Sequence, residues 1–194
     1  AWHFMHDLNW SVKGLIKTIL MSHTYRQQSI NTEEMMRKDP YNLYYARAPR
    51  VRLTAEQIRD QALYVSGLLS PKMYGPPVMP YQPEGIWLSP YNSDKWVMSE
   101  GEDRYRRAIY TYWKRTSPYP SALTFDGMAR EVCVSRRIRT NTPLQALVTL
   151  NDSVYVEAAA ALAAKMMEAG IEDIQKAINA GYHLALMRDA SADR

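Results

Sequence analysis

Cys133 is the only cysteine of the chain, and it lies in a stretch that contains the residue types of several kinds of catalytic site. Residues 125–152 read FDGMAREVCVSRRIRTNTPLQALVTLND. A cysteine nucleophile needs a base and a lowered pKa, and neighbouring arginines could lower it. No motif ties a histidine to Cys133, however, and a lone cysteine is most often a small buried apolar residue. The pattern therefore favours an unreactive, buried Cys133.

Asp126 and Glu131 precede the cysteine and are a candidate carboxylate pair for glycoside chemistry. Two carboxylates flanked by arginines are more often salt-bridge partners than an acid and a base. We therefore interpret them as partners of nearby arginines, with Asn141, Thr142 and Asn151 as helix caps.

His3 and His6 have a spacing that can bind a metal on a helix. Asp7 is next to His6 but is expected to point elsewhere, so no metal site is predicted. The single cysteine excludes a CxxCH haem site, a cysteine zinc cluster and an internal disulfide framework. No cofactor is predicted for this chain.

Basic residues are concentrated between Arg104 and Arg139. Nine lysines and arginines there face only two carboxylates, so the stretch carries +7 while the whole chain carries +4. Such a stretch is either an anion-binding face or a set of internal ion-pair partners, and both readings stay open. The candidate anion-binding residues are Arg106, Arg107, Arg136, Arg137 and Arg139. Of the basic residues, Arg106 and Arg139 are expected to be exposed, and Arg130 and Arg137 internal.

The aromatic residues suggest a second kind of surface. The chain has 14 Tyr and 5 Trp but 2 Phe, and rings with a polar edge suit wet interfaces. Tyr81, Trp87 and Trp96 are a candidate platform on which sugar rings could stack, beside arginines that grip sulfate with two hydrogen bonds. No nucleic-acid motif accompanies the basic stretch, so nucleic acid is not an expected partner.

The elements that must position these residues are mainly helical. Apolar spacing predicts helices at 12–24, 55–69, 143–150 and 154–168 and a short helical turn at 33–38. Ser11, Thr54 and Thr142 are the predicted N-caps, and Gly170 is expected in the C′ position. Residues 102–115 favour a helix over a strand, and 171–188 predict one more helical pair.

Residues 71–101 are rich in proline, glycine and aromatic residues and predict a long ordered loop without a helix. The YNSD stretch leaves room for one small β-hairpin. The predicted fold is therefore a mainly α, irregular multi-helix single domain over residues 1–194. No apolar run approaches the ~20 residues that span a bilayer. The opening AWHFMHDLNW reads like the middle of a helix, so the chain is expected to be a piece of a longer protein.

Several long strings resemble one known family. SHTYRQQS, RLTAEQIRDQAL, GPPVMPYQPEGIW and YRRAIYTYWKRT, together with the stretch around Cys133, are similar to the planctomycete-specific C-terminal domain of unknown function. That domain occurs in large exported bacterial proteins that often carry a planctomycete-type cytochrome C domain. The resemblance implies a periplasmic or extracellular location and a family domain that begins upstream of residue 1. It implies no catalytic residue.

Residues and resemblance together predict a non-catalytic interaction or assembly module of a large exported protein. Its expected partners are other domains of the same polypeptide. One alternative is part of an enzyme or binding protein that acts on anionic, sulfated polysaccharide. Another is a docking surface for a cytochrome C domain.

Overall fold

The computed structural model describes residues 1–86, 95–171 and 173–191. These residues are mainly helical and form no β-strand, which confirms the predicted fold class. None of the described helices is long and apolar enough to cross a membrane. The chain forms two compact units, Ala1–Arg52 and Leu53–Arg194. The single domain over residues 1–194 stays a prediction.

The first unit contains α1 (Trp2–His6), α2 (Val12–Leu20) and α3 (Glu33–Lys38). Ser11 caps α2 as predicted, because its hydroxyl accepts the Gly14 N–H. The helix ends at Leu20, earlier than the predicted residue 24. The Ser22 hydroxyl donates to the carbonyl of Ile19 at 2.7 Å, and such side-chain bonds compete with continued helix.

Asp39 and Arg47 organise the loop that follows α3. The Asp39 carboxylate accepts the N–H groups of Leu43 and Tyr44 at 2.8 and 2.9 Å. Arg47 donates through Nη2 to the carbonyls of Asp39 and Pro40. Asp39 and Arg47 are also the only fully buried residues of the fully described first unit. Polar contacts, and not an apolar core, therefore hold this unit together.

The second unit contains α4 (Ala55–Ser66), α5 (Pro120–Thr124), α6 (Pro143–Asn151), α7 (Ser153–Ala169) and α8 (Ile174–Leu186). Three of these confirm predicted helices, but α4 ends early because Gly67 takes a left-handed φ of 80°. Residues 173–191 form the single helix α8 where a pair was predicted. The apolar centre is formed by Ala55, Phe125 and Tyr155, packed against Ile58, Ala62, Ala122 and Val148.

Two glycines permit the close packing of α7 and α8. Gly170 follows α7 as predicted, but its φ is −138°, so no left-handed turn requires glycine there. A Cβ at Gly170 would instead lie 2.4 Å from the Ala177 nitrogen, and one at Gly181 would lie 2.6 Å from Met166 Sδ. Backbone proximity therefore requires glycine at Gly170, whereas at Gly181 the space of a Cβ is filled by the flexible Met166 side chain.

Residues 102–115 do not form the expected α-helix. They contain two short 3₁₀ turns, at Gly101–Tyr105 and Ala108–Tyr110, with extended backbone between and after them. Ser70 N–H donates to the carbonyl of Tyr105, so this group bonds outside its own segment. The carbonyls of Arg104 and Arg106 also bond outside the segment, because they accept hydrogen bonds from Arg59 of α4. An α-helix over residues 102–115 would need these carbonyls for its own hydrogen bonds.

The described parts of the 71–101 loop are held by main-chain hydrogen bonds. Val78 N–H donates to Tyr110, Tyr112 N–H donates to Val78, and Ser99 N–H donates to Met79, at 2.7–2.8 Å. No helix forms in residues 71–86 or 95–100, as predicted. Trp87 and the YNSD hairpin lie outside the described residues.

The start of α6 depends on a buried glutamine. Thr142 is the N-cap residue, and its backbone N–H donates to Gln145 Oε1 at 3.2 Å. Gln145 is 1% exposed, and its Nε2 donates to the Thr124 carbonyl at 2.9 Å. Gln145 thus joins α6 to the end of α5.

We predict that Gln145→Met costs about 1–3 kcal/mol, because it removes the hydrogen bonds of two partly buried main-chain groups, the Thr142 N–H and the Thr124 carbonyl. Thr142→Ala should cost about 1 kcal/mol, the usual loss of an N-cap, and Thr142→Ser should be tolerated. Urea unfolding of the three variants tests this order. Equal stability of the Gln145→Met and Thr142→Ser variants would contradict it.

Candidate functional site

A buried arginine of α4 organises the N-terminal end of the basic stretch. Arg59 is 4% exposed. Its Nη1 donates to the carbonyl of Arg106 at 2.7 Å, and its Nη2 donates to that of Arg104 at 2.8 Å. The next residue, Asp60, accepts the Ala108 N–H at 2.6 Å. One helix face therefore fixes the backbone from 104 to 108.

Arg106 lies inside this arrangement and is not exposed as expected. Its side chain is 1% exposed. The guanidinium donates to the carbonyls of Tyr74 and Pro76 and lies 3.9 Å from the centroid of the Tyr110 ring. Two carbonyl acceptors and a π-face replace water around this cation, so Arg106 holds the 71–80 loop in place.

Arg107 and Arg137 each pair with a carboxylate of α4. Arg107 Nε lies 3.4 Å from Asp60 Oδ2, with the arginine about half exposed. Arg137 Nη1 lies 2.6 Å from Glu56 Oε2, with both side chains about one third exposed. The internal role expected for Arg137 is therefore confirmed.

The expectation for Arg130 is wrong. Arg130 is exposed and lies over the Trp113 ring at 5.0 Å from its centroid. Arg136 and Arg139 are also exposed. Because Arg106 is buried and Arg137 pairs with α4, the five candidate arginines do not share one exposed face. Anion binding by them stays a prediction.

We call residues 129–142 the exposed arm. Each of them except Arg137 is exposed, and none is in a helix. The arm is attached near its end by Thr140, whose N–H and hydroxyl donate to the Asp126 carboxylate at 2.7 and 2.9 Å. Among the described residues, Asp126 accepts hydrogen bonds from Thr140 and Gln145, and Glu131 is exposed within the arm.

Cys133 is also exposed, contrary to expectation. The arm does not enter the core, so its apolar residues face solvent. Val132 is 72% exposed and Ile138 is 83% exposed. Composition alone had favoured burial of the thiol, and the path of the backbone decides otherwise.

The N-terminal histidines differ from the prediction in one contact. His3 Nδ1 lies 2.6 Å from Asp7 Oδ2, so Asp7 does face His3, one helical turn away. Among the described residues, no group of three His, Cys, Asp or Glu side chains could hold a metal ion.

Two residues of the candidate aromatic platform, Trp96 and Tyr81, make contacts within the protein. The indole N–H of Trp96 donates to the Pro80 carbonyl at 2.8 Å. The Trp96 ring stacks on Tyr119 with centroids 5.9 Å apart. The Tyr119 hydroxyl donates to the Tyr81 carbonyl at 2.8 Å. These contacts order the loop, as expected for Trp96, and sugar stacking stays a prediction.

Polar side chains surround Arg59 in the interior. Burial raises the pKa of Tyr119 and of Tyr155. Burial also raises the pKa of Asp152, which caps α7, although the Val154 N–H and the Arg59 charge oppose that rise. Tyr155 contacts Ser121 at 3.4 Å between their hydroxyl oxygens. Arg59 is thus the cation of a buried polar cluster.

A cavity of about 30 Å³ lies beside this cluster. Its polar and charged lining residues are Glu56, Arg59, Thr111, Trp113, Tyr119, Ser121, Arg130 and Tyr155. Two buried lining atoms, Arg59 Nε and Thr111 Oγ1, have no hydrogen-bond partner among the described residues. Arg130 is the exposed member of the lining, so the cavity opens to solvent there.

The first unit carries a different feature, an apolar stripe on α2. Val12, Ile16, Ile19 and Leu20 are spaced at one face of the helix and are 44–61% exposed. The sequence pattern predicted this stripe, and α2 contains no buried residue. The loop after α3 is similarly open, with Tyr41, Tyr44 and Leu43 at least 70% exposed.

The chain belongs to the PSD1 family of proteins of unknown function (DUF1553), whose family model matches residues 1–194. No curated protein and no solved structure matches the chain. Membership in a family of unknown function confirms the coarser part of the resemblance. Planctomycete specificity and the cytochrome association stay predictions.

Sequence reasoning missed Arg59 because it placed the apolar stripe of α4 at Ile58, Ala62, Val65 and Leu69. The fully buried residues of α4 are Ala55, Arg59, Leu63 and Ser66. An arginine that lies four residues from an alanine and from a leucine, on one helix face, was the available signal. This signal is easily overlooked because arginine is mostly exposed in proteins.

Arg136 and Arg137 are adjacent but should respond differently to substitution. Arg137→Ala should cost about 1–2 kcal/mol, because it removes a half-buried charged hydrogen bond. Arg136→Ala should change stability by less than about 0.5 kcal/mol, as is usual at exposed positions. Urea unfolding at neutral pH measures both.

The cost of Arg137→Ala should also depend on pH. Burial raises the pKa of Glu56, but contacts with Arg137, its own backbone and Thr54 outweigh this and hold the pKa below its ordinary 4.5. The pair therefore stabilises the fold above about pH 4.5 and loses its effect as pH falls through the lowered pKa. An Arg137→Ala cost that is the same at pH 7 and pH 3 would contradict this pairing.

Proposed function

We propose that the chain is a non-catalytic interaction or assembly module, and that α2 docks on an apolar surface of another domain of the same polypeptide. The observation that carries this proposal is the apolar stripe of α2. An exposed apolar stripe is costly in water, and a surface of this kind commonly marks an interaction site.

The composition of the first unit supports the proposal. A unit of 52 residues whose buried residues are an aspartate and an arginine has little apolar burial to offset its conformational entropy. Its exposed apolar side chains therefore gain the most stability by packing against an apolar surface of another domain. A helical stripe with exposed residues at positions i, i+4, i+7 and i+8 fits an apolar groove.

The identity of the partner follows from the sequence resemblance. A domain that resembles part of large exported proteins has neighbouring domains as its most available partners, at a high effective concentration. A periplasmic or extracellular location and a cytochrome C domain as the neighbour are the finer forms of this proposal.

The stripe can be tested by two paired substitutions. Ile16→Gln with Ile19→Gln should weaken binding of the chain to the remaining polypeptide by about 100-fold or more, because two isoleucines no longer gain apolar burial. The matched control is Lys13→Gln with Lys17→Gln, on the polar residues of the same helix. Biolayer interferometry with the separately produced partner measures both.

Binding that is equally strong in the isoleucine variant and the wild type would refute the docking role of α2. Fluorescence of an apolar dye gives an independent measurement. The wild-type chain should bind the dye and the isoleucine variant should bind less. If the wild-type chain does not bind the dye although it is monomeric, so that no second copy covers α2, the proposal is also refuted.

A second candidate function is binding of anionic polysaccharide, and the exposed arm is the observation that favours it. Arg130 and Arg136 are both exposed there, and Arg130 lies over the Trp113 ring. Arginines on an irregular segment can adapt to the sulfates of a polymer.

For this candidate we predict that the chain binds heparin and that binding weakens steeply with salt. Arg130→Ala with Arg136→Ala should weaken binding more than Lys13→Ala with Lys17→Ala, which removes the same charge elsewhere. Retention on a heparin column at several salt concentrations is the measurement. Equal losses in the two variants would show that net charge, and not the arm, is responsible.

A further inference from the structure

The cavity beside Arg59 contains an unusual combination of buried groups. Arg59 is a cation that is 96% buried, yet its two Nη atoms donate to main-chain carbonyls and not to a carboxylate. Asp152 is affected by the Arg59 charge, but its carboxylate accepts the Val154 N–H and caps α7. A buried charge is stable when an opposite charge and hydrogen bonds accompany it.

One further donor of this cation, the Nε–H group, is unused. Arg59 Nε is buried and has no acceptor among the described residues, and Arg59 lines the cavity. Thr111 lines it too, and its hydroxyl is likewise buried without a partner in the described part of the chain. Native structures rarely leave such groups unpaired, so these two atoms point to an occupant with oxygen acceptors.

The size of the cavity limits that occupant. A volume of about 30 Å³ accommodates about two water-sized atoms, since one water needs about 10–15 Å³. A carboxylate has two oxygens, which fit this space and can accept from the Arg59 Nε–H and the Thr111 hydroxyl. Its single negative charge matches the charge of Arg59. A sulfate or phosphate has four oxygens, more than these two donors can bind. The exposed Arg130 at the opening adds a second positive charge on the route inward.

We propose that this cavity binds one carboxylate group of a small ligand, with Arg59 Nε and Thr111 Oγ1 as its donors. A free small acid and a uronic acid sugar share this chemistry. In the sugar, the carboxylate enters the cavity and the ring remains outside, near Arg130 and Trp113. The two donors lie outside the arm and outside α2, and the arm contributes Arg130 to the lining. The test therefore does not depend on the docking function proposed for α2.

The test is a titration of the wild-type chain at constant ionic strength with acetate, glucuronate, sulfate and glucose. The ¹H–¹⁵N signal of Arg59 Nε–H reports on occupancy directly, because a buried N–H exchanges slowly. Acetate or glucuronate should shift this signal in a saturable way, and sulfate and glucose should not. Saturation by acetate alone would identify a free small acid, and tighter binding of glucuronate would identify the sugar.

Two threonine variants complete the test. Thr111→Val keeps the shape of the side chain and removes the hydroxyl, so carboxylate affinity should fall about tenfold. Thr116→Val is the matched control at an exposed position and should leave affinity unchanged. The titration of the wild-type chain remains a valid test of the proposal even if the Thr111→Val variant fails to fold.

Three results would overturn the proposal. The first is no saturable shift of the Arg59 signal with either carboxylate. The second is an equal response to sulfate, which indicates screening of Arg130 and not a site. The third is a folded Thr111→Val chain that binds carboxylate as tightly as the wild type. Absence of carboxylate binding together with a more stable Thr111→Val variant would show that the Thr111 hydroxyl is buried without any partner.

Discussion

The second unit depends on the burial of one cation, Arg59. Its two hydrogen bonds to the carbonyls of Arg104 and Arg106 cross 45 and 47 residues of sequence. They remove these carbonyls from any local helix and leave an extended segment against which the 71–80 loop can bond. Arg106 is buried as a consequence, because its backbone is held against α4 and its side chain then turns toward Tyr74 and Pro76. The basic stretch is thus partly interior because of an arginine that lies outside it.

This dependence explains which features the sequence could predict. The start of α4 at Thr54 and the break between α6 and α7 at Asp152 result from contacts two or three residues apart, and both were found. The burial of Arg106 and the exposure of Cys133 depend on distant partners or on the path of the backbone. No local pattern encodes those, and charge counting treats a buried and an exposed arginine alike.

The two units differ in what stabilises them. The second unit has an apolar centre and a buried polar cluster around Arg59, and two of the unpaired polar atoms of this unit belong to residues that line the cavity. The first unit has polar contacts inside and apolar side chains outside. A fold of the first kind can hold a small ligand, whereas a unit of the second kind is better suited to contact with another apolar surface.

Asp39 and Arg47 define the loop after α3 almost entirely through main-chain groups. The side chains of Tyr41, Leu43 and Tyr44 take no part in that network of bonds, and they extend into solvent. Substitution at these three positions therefore changes what the loop can touch without changing its path.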